Sequence, residues 1–325
     1  MTIPKATILI PTHDHHATLP ISVNSAQKQT VLEIEIIIIG DGATNETRRE
    51  AESLASSDAR IKYLHFPKGP NHGEVYRHIA IEQALGDHIF YLCDDDLFTP
   101  YHVENLLSLL GSNDLVQSRN GHFDLSGQLC LFPTDLSRED VINWHLLEPR
   151  RNFVSLTGTA HRRSTYFQLS EFWETTPKDE WPDHFMWKKF FRQKGLKAAT
   201  HPEMSALQFP TSAGRQKTNQ EIRLEELAQW STFISQTNAR SSLEKLVNEA
   251  TTKSLVDLSM IVINQSLDLI KLNTVTAERD AVTAERDAAM AERDAVMAER
   301  DRILASNSWR LTKALRKLKS MLEPS

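Results

Sequence analysis

The chain has 325 residues, of which 40% are hydrophobic and 25% are charged, and this balance excludes a wholly disordered protein. Its formal net charge of −6 argues against a protein whose task is to bind nucleic acid. The two cysteines, Cys93 and Cys130, are too few for a disulfide framework, so a reducing, cytoplasmic setting is favoured. No stretch reaches the roughly 20 apolar residues that span a bilayer. Residues 1–5 also lack the apolar core of a signal peptide, so we expect neither membrane spanning nor secretion.

Residues 1–110 alternate short apolar runs with helical stretches. The runs are bounded by turn-forming or acidic residues and cover Ala6–Ile10, Ile34–Ile39 and His88–Cys93. The helical stretches are Leu19–Gln29, Asn45–Ser56 and Gly73–Ala84. This alternation predicts an α/β fold with a mostly parallel sheet and helices on both faces. Ligands of such sheets bind at the carboxyl ends of the strands, where polar loops follow all three runs.

Residues 111–210 are less regular and rich in aromatic residues. They contain four of the six tryptophans, Trp144, Trp173, Trp181 and Trp187. Such a density is typical of a hydrophobic core and also of a wall that stacks on sugars, and both interpretations remain open.

The composition changes from about residue 218, where glycine and proline become rare. Glu221–Ile234 and Ser242–Leu272 are predicted as helices. A seven-residue repeat then occurs in four copies, which begin at Thr276, Thr283, Met290 and Met297. We therefore expect four parts: an α/β domain at 1–215, a helical region at 216–272, a heptad-repeat helix at 273–305 and a tail at 306–325.

The heptad repeats predict a long helix, but their register leaves its partner open. Alanines occupy the a and d positions and bury little area. Glu285 then falls at e and Asp280 at g, so parallel copies would face acid against acid. A self-associating helix, which would make a homo-oligomer, and a solitary solvated spacer are the two alternatives.

The tail is predicted as a short basic amphipathic helix, in which Trp309, Leu311 and Leu315 alternate with basic residues. Such a helix could lie on an anionic membrane, which would make the protein peripheral at the inner face. It could equally dock on the acidic surface of its own chain.

Three consecutive carboxylates, Asp94, Asp95 and Asp96, follow the third apolar run. Like charges at the exit of a buried strand destabilise it unless something compensates them. A divalent cation is the natural compensator, and oxygen ligands favour Mn²⁺ or Mg²⁺ shared with substrate phosphates. The alternative is that the acids cap a helix over Leu97–Leu110.

Two further loops carry candidate binding residues. Asp41 lies between glycines after the second run, where its carboxylate could accept a hydrogen bond from a nucleobase or a ribose. Asp-Gly is also a common turn sequence. Residues 11–16, Pro-Thr-His-Asp-His-His, favour a loop that lines a nucleotide pocket over a zinc site, because adjacent ligands rarely fit one tetrahedral ion.

Together these motifs resemble the start of the family-two inverting glycosyltransferases, which have the Rossmann-like GT-A fold. The resemblance covers residues 4–110 well and 150–205 more loosely. It rests on the following positions in this order: Pro11-Thr12, Leu19, Ser22-Val23, Ser25–Thr30, Asp41–Thr44, Asn71-His72-Gly73, Arg77, Ala84–Asp87 and Asp94–Asp96.

The resemblance implies a role for each matched residue. Asp41 matches the aspartate that contacts the base of the sugar nucleotide. Asp94 and Asp96 match the D-x-D motif, which holds the metal, the donor ribose and the diphosphate. The remaining nucleotide-binding positions implied are Pro11, Thr12, Asp14, Arg77 and Asp95.

The family's catalytic base occurs in a pattern like Glu-Asp-x-x-Leu-Trp, which residues 182–187 match in part. Asp183 falls on the aspartate, and Pro182 replaces the glutamate. A carboxylate is needed there to take the proton of the acceptor hydroxyl. The alternative is that Asp183 caps a helix over Phe185–Gln193. The fallback bases are Asp179, Glu180 and His184.

The resemblance therefore implies a metal-dependent glycosyltransferase with Mn²⁺ or Mg²⁺ as cofactor. Its donor would be a nucleoside diphosphate sugar, with UDP favoured, and its acceptor a saccharide or a lipid-linked sugar. A nucleotidyltransferase is one alternative, although residues 11–16 lack the glycine and basic residues of a triphosphate loop. A non-catalytic coiled-coil scaffold with a degenerate nucleotide-binding domain is the other.

Overall fold

The computed structural model of the protein describes residues 3–124, 126–132, 134–209, 220–306, 312–313 and 315–317. It separates into two compact units, Met1–Ser254 and Leu255–Ser325. The predicted domain boundary at 215/216 lies outside the described residues. In the described part of the chain, no helix combines the length and apolar character needed to cross a membrane.

The first unit is built on a seven-stranded sheet in the order β10-β6-β9-β4-β1-β2-β3. Its strands are β1 (Ala6–Thr12), β2 (Ile34–Asp41), β3 (Ile61–Phe66), β4 (His88–Tyr91), β6 (Leu115–Ser118), β9 (Thr159–Arg162) and β10 (Ala198–His201). Strand β1 pairs in parallel with both β2 and β4, whereas β9 is antiparallel to β4 and β6. The predicted α/β fold with a mostly parallel sheet is confirmed.

Helices flank the sheet along the chain. They are α1 (Leu19–Gln27), α2 (Asn45–Ser57), α3 (Val75–Gln83), α4 (His102–Leu110), α5 (Glu139–His145), α6 (Arg163–Tyr166), α7 (Pro182–Phe191), α8 (Gln220–Ile234) and α9 (Ala239–Ala305). The first three coincide with the predicted helices to within two residues at each end. Strand β3 was not predicted, because exposed polar residues interrupt its apolar pattern.

Strand β2 shows why the sheet is covered on both faces. All eight of its residues are buried, and consecutive isoleucines point to opposite sides of the sheet. Ile36 and Ile38 belong to the core cluster that includes side chains of α1, α2 and α4. Ile37 and Ile39 belong to the cluster with α3 and α7. A parallel strand covered twice therefore appears in the sequence as a continuous apolar run.

Two small antiparallel sheets join the unit, formed by β5 (Leu97–Phe98) with β11 (Ala206–Leu207) and by β7 (Gly121–Phe123) with β8 (Leu129–Leu131). Because β5 directly follows the three aspartates, α4 begins only at His102. The alternative in which the aspartates cap a helix from Leu97 is therefore wrong, and their burial needs another explanation.

Helix α9 runs without interruption from Ala239 to Ala305. It contains the four heptad repeats, so their prediction as one long helix is confirmed, and the predicted boundary at 272/273 lies within it. Most of the basic tail, including Trp309 and Leu311, lies outside the described residues.

Buried His102 makes the stability of the first unit depend on pH. Burial lowers the pKa of its imidazole to about 3, and repulsion from His201 adds to this effect. The unfolded chain, with an ordinary histidine pKa near 6.5, therefore binds more protons as the pH falls below 6.5. Neutral His102 stabilises the fold above that pH, and this contribution is lost between pH 6.5 and 3.

We expect His102→Gln to flatten the fall of the unfolding free energy between pH 5.5 and 4. One proton fewer taken up on unfolding reduces the slope by about 1.4 kcal/mol per pH unit. Urea titrations at several pH values would measure it, with the exposed His65→Gln as the matched control. An unchanged slope in His102→Gln would contradict the prediction.

Candidate active site

The carboxyl ends of β4, β1 and β2 bring the predicted binding residues together. These three strands are neighbours in the sheet, and Thr12 at the end of β1 lies beside Gly40 of β2. Asp41 is the last residue of β2, and residues 94–96 follow β4 after a short turn. The side chains of Asp41, Asp94, Asp95 and Asp96 are all buried.

Asp41 is held by the loop that follows β3. Its Oδ1 accepts a hydrogen bond from the backbone N–H of Gly69 at 2.6 Å, and its Oδ2 accepts one from Lys68 Nζ at 2.5 Å. Gly73 lies against the same carboxylate with a φ of +60°, so a Cβ there would come within 2.7 Å of Oδ1. Only glycine fits this approach without strain.

The loop after β1 approaches both Asp41 and the aspartate cluster. His13 Nδ1–H donates to the carbonyl oxygen of Asp41 at 2.7 Å. The Oγ1 of Thr12 is buried and has no hydrogen-bond partner in the described part of the chain. Asp14 is exposed, and its Oδ1 lies 3.6 Å from His15 Nε2. The predicted first nucleotide loop thus lies at the candidate site.

His15, Asp94 and Asp95 form a cluster whose potential ligand atoms all lie within 4.8 Å of one another. His15 Nδ1–H donates to Asp94 Oδ1 at 2.8 Å, and this bond raises the pKa of His15 to about 9 despite its partial burial. Asp95 Oδ2 lies 2.5 Å from Nη2 of Arg223, a residue of α8. Two cationic side chains therefore compensate this part of the cluster.

Asp96 has a different environment from its two neighbours. Its Oδ2 accepts a hydrogen bond from Thr157 Oγ1 at 2.6 Å, and its Oδ1 accepts one from the backbone N–H of Phe209 at 3.2 Å. The sequence predicted Asp94 and Asp96 as the metal pair, whereas the structure brings Asp94 together with Asp95 and His15. The metal role of Asp96 stays a prediction.

The donor set fits a divalent cation of the predicted kind. Two carboxylates supply the hard oxygen ligands that Mg²⁺ and Mn²⁺ prefer, and both ions often complete their coordination with substrate phosphates. The imidazole of His15 could join only after it releases its proton, because a ligating nitrogen must be unprotonated.

A cavity of about 440 Å³ lies beside the aspartate cluster, and three of the predicted functional residues line it. Arg77 of α3, Asp96 after β4 and Asp183 of α7 all line it. Its other lining residues include Asn120, Phe132, Phe153, Ser155, Thr157, Trp173, Gln208 and Phe209. Residues far apart in the sequence therefore share one concave space.

Arg77 is the cation of this cavity. Its guanidinium lies 4.8 Å from the ring centroid of Trp173, a cation–π contact. Its Nε and Nη1 are buried and have no hydrogen-bond partner among the described residues. Burial lowers its pKa from the ordinary arginine value. Unpaired buried donors of this kind are costly to a protein alone and suit an anionic ligand.

Asp183 lies in the first turn of α7, where Pro182 is the first helical residue and Trp181 the N-cap. Burial raises the pKa of its carboxyl, while backbone N–H groups and Arg77 partly oppose this shift. A half-buried carboxylate with a raised pKa at a cavity wall suits a general base.

The three fallback bases are not among the residues that line the cavity, whereas Asp183 is. Asp179 is exposed, and Glu180 Oε1 is paired with Lys188 Nζ at 2.5 Å. His184 Nε2–H donates to the carbonyl oxygen of His145 at 2.8 Å.

Some aromatic residues of this region form the core, and others line the cavity. Trp187 and Phe190 are fully buried in the core. Phe132 and Phe153 line the cavity and stack on each other with ring centroids 4.9 Å apart. Their edge of the cavity offers the apolar surface on which sugar rings pack.

Several residues of the site had no sequence signal. Arg223 lies 128 residues after Asp95, and Thr157 lies 61 residues after Asp96. Gln208 Nε2 donates to Asn120 Oδ1 and to Ser155 Oγ at the cavity wall, at 2.6 and 2.7 Å. Only tertiary contacts bring these residues to the site, so periodicity and local motifs cannot find them.

Residues 7–169, half of the chain, match the sequence profile of glycosyl transferase family 2, and the chain therefore belongs to that family. An uncharacterized glycosyltransferase of Rickettsia bellii is 26% identical over 195 residues, which cover 58% of this chain and 28% of that protein. The Campylobacter jejuni GalNAc(5)-diNAcBac-PP-undecaprenol beta-1,3-glucosyltransferase is 30% identical over 97 residues, which cover 29% of this chain and 30% of that protein. The chain thus spans less than a third of the length of these two relatives.

A solved structure supports the fold. The crystal structure of residues 1–349 of TarS from S. aureus is similar with a TM-score of 0.51 and 14% sequence identity. The similarity covers 76% of this chain and 70% of that one. The GT-A-like architecture expected from the sequence is therefore confirmed.

We expect Arg223→Gln to increase the affinity of the protein for Mn²⁺ at least about tenfold, because it removes a positive charge from beside a candidate ligand. Calorimetric titration of Mn²⁺ into the nucleotide-free protein would measure the change. Arg240→Gln is the matched control, since Arg240 forms its ion pair with Glu203 outside the cluster. An unchanged affinity in Arg223→Gln would show that Asp95 does not take part in cation binding.

Proposed function

We propose that this protein is a metal-dependent inverting glycosyltransferase. It moves a sugar from a nucleoside diphosphate donor, UDP being the first candidate, to a hydroxyl group of a saccharide or lipid-linked acceptor. The observation that supports the proposal is one cavity lined by Arg77, Asp96 and Asp183, so that a cation and two carboxyl groups surround the same space.

The nucleoside diphosphate donor binds at the carboxyl ends of β4, β1 and β2. Asp41 and the loop of Thr12 receive the nucleoside, because they line the strand ends beside the aspartate cluster. Arg77 offers its unpaired N–H donors to the diphosphate. The buried Thr12 Oγ1 supplies a further polar atom on that side.

The candidate cation site adjoins the diphosphate position. Asp94 and Asp95 would hold Mn²⁺ or Mg²⁺, and such an ion neutralises the charge that develops on the departing diphosphate.

Asp183 acts on the acceptor side. Its carboxylate takes the proton of the acceptor hydroxyl as that oxygen bonds to the anomeric carbon. The bond from this carbon to the diphosphate oxygen breaks on the opposite face, and its electron pair leaves with the diphosphate. A single displacement of this kind inverts the configuration of the anomeric carbon.

We expect Asp183→Asn to lower kcat by about 10² to 10⁴-fold, because the amide cannot accept the acceptor proton. Donor affinity should stay within about twofold, since Asp183 faces the acceptor. Initial rates with a labelled sugar nucleotide would measure the loss, and the exposed Asp179→Asn is the matched control. Full activity of Asp183→Asn would assign the base to another residue.

Because the pKa of Asp183 is raised, we expect the activity to decline on the acid side of its pH profile. The base must be ionised, so the rate should fall as the pH drops through that pKa. A profile of kcat/KM against pH should show this decline in the wild type. If Asp183→Asn retains measurable turnover, its residual rate should lack the decline.

Metal-dependent nucleotide binding tests the donor assignment. We expect one of UDP, dTDP, GDP and CDP to bind with micromolar affinity in the presence of Mn²⁺ and to lose most of that affinity without it. Asp94→Ala should abolish the metal effect, because it removes a carboxylate from the cation cluster. Asp140→Ala, which removes an exposed carboxylate paired with Arg138 outside the cluster, is the control for charge alone. If folded protein binds none of the four nucleotides, the transferase proposal fails.

A further inference from the structure

Helix α9 exposes a long apolar surface in the second unit. Between Leu255 and Val275, its large apolar side chains are 49–61% exposed. These residues are Leu255, Val256, Leu258, Met260, Ile261, Val262, Ile263, Leu267, Leu269, Ile270, Leu272 and Val275. A patch of this extent marks an interaction surface.

One continuous stripe of a and d positions links this apolar surface to the heptad repeats. The d positions of the alanine heptads continue upstream, in the same register, through Ile270, Ile263 and Val256. The a positions continue through Thr274, Leu267 and Met260. We call this the α9 stripe; its members are Val256, Met260, Ile263, Leu267, Ile270, Thr274, Ala277, Ala281, Ala284, Ala288, Ala291, Ala295 and Ala298. Its first half is bulky, and its second half consists of alanine.

A parallel, in-register pair of helices suits this stripe poorly. Bulky layers would meet bulky layers, and alanine would meet alanine, so the two axes could not keep a constant distance. In the alanine half, each g aspartate such as Asp280 would also face an e glutamate such as Glu285 of the other helix.

An antiparallel pair resolves the difference in side-chain size. When the bulky half of one helix lies against the alanine half of the other, each layer between Val256 and Ala295 combines a larger residue with an alanine. Met260 then meets Ala291 of the second copy, Leu267 meets Ala284 and Thr274 meets Ala277. In the same register Ile270, Ile263 and Val256 meet Ala281, Ala288 and Ala295, and the two-fold axis repeats each of the six contacts with the two copies exchanged.

The charges beside the stripe also favour this arrangement. In antiparallel pairs, e positions face e positions and g positions face g positions. Lys271 at e then lies near Glu278 and Glu285 of the second copy, which are oppositely charged. Ser266 at g lies near Asp287 instead of a second acid. The exception is Asp257, which approaches Glu292.

The stripe is long enough for a stable interface. The 43 residues from Val256 to Ala298 span about 64 Å of helix, and a contact strip about 10 Å wide gives roughly 640 Å² per copy. Specific protein interfaces bury about 800 Å² per partner, which is of the same order. We propose that two copies of this chain associate through the α9 stripe, antiparallel, with the bulky half of each helix on the alanine half of the other.

The oligomeric state of the protein in solution tests whether the α9 stripe is a dimer interface. We expect light scattering after size-exclusion chromatography to give a dimer for the wild type. Ile263→Glu should raise the dimer dissociation constant at least about tenfold, since it buries a charge in the stripe. Ile261→Glu is the matched control: both isoleucines are 51% exposed on α9, but Ile261 lies off the stripe. Circular dichroism confirms that both variants keep their helix content.

Engineered disulfides test the orientation. Leu267→Cys combined with Ala284→Cys should form covalent dimers under mild oxidation, whereas neither single variant should do so through its new cysteine. The wild type, with Cys93 and Cys130 in place, gives the background.

Each opposite result overturns the proposal. Efficient cross-linking of Leu267→Cys alone would indicate parallel helices. Equal dissociation by Ile261→Glu and Ile263→Glu would place the contact elsewhere. A monomeric wild type that instead sediments with vesicles of phosphatidylglycerol and phosphatidylethanolamine would assign the apolar surface to lipid. A wild type that is monomeric and ignores vesicles would refute the proposal as well.

Discussion

Burial of four carboxylates at one edge of the sheet constrains the rest of the first unit. Asp41, Asp94, Asp95 and Asp96 are all removed from water at the carboxyl ends of neighbouring strands, so each needs a compensating group. The compensating groups come from scattered places in the chain: Lys68 and Gly69 for Asp41, His15 for Asp94, Arg223 for Asp95, and Thr157 with Phe209 for Asp96. These hydrogen bonds and ion pairs connect distant parts of the chain at the place where we expect the ligand to bind.

A buried polar network supports the cation of the cavity. Trp173 lies under Arg77, and its Nε1–H donates to the hydroxyl of Tyr91 at 2.9 Å. Tyr91 also contacts Nε2 of His161 at 2.8 Å, and burial keeps the pKa of that imidazole near 4. The unprotonated Nε2 of neutral His161 can accept a hydrogen bond from the Tyr91 hydroxyl, which fixes the direction of the hydrogen bonds. Arg77 therefore rests on a platform of aromatic rings whose own polar atoms are satisfied.

The sequence predicted the parts of the fold that depend on local pattern. Strand β2 was found because isoleucines fill it, and α9 was found because seven-residue repeats are unambiguous. Strand β9 was missed, since four residues of which three are polar carry no distinctive period. The residues of the candidate site also differ in whether a local sequence pattern marks them. Asp41 and Asp94–Asp96 follow strands and could be located, whereas Arg223 reaches Asp95 only through packing of α8.

The repeats of α9 have a consequence for how its length can vary. Each copy adds seven residues, or about 10 Å of helix, and returns the same side chains to nearly the same side. Gain or loss of one copy therefore lengthens or shortens the rod without rotating its apolar side by more than about 20°. The length of the helix can thus change in fixed increments while the residues that line the cavity of Arg77, Asp96 and Asp183 stay the same.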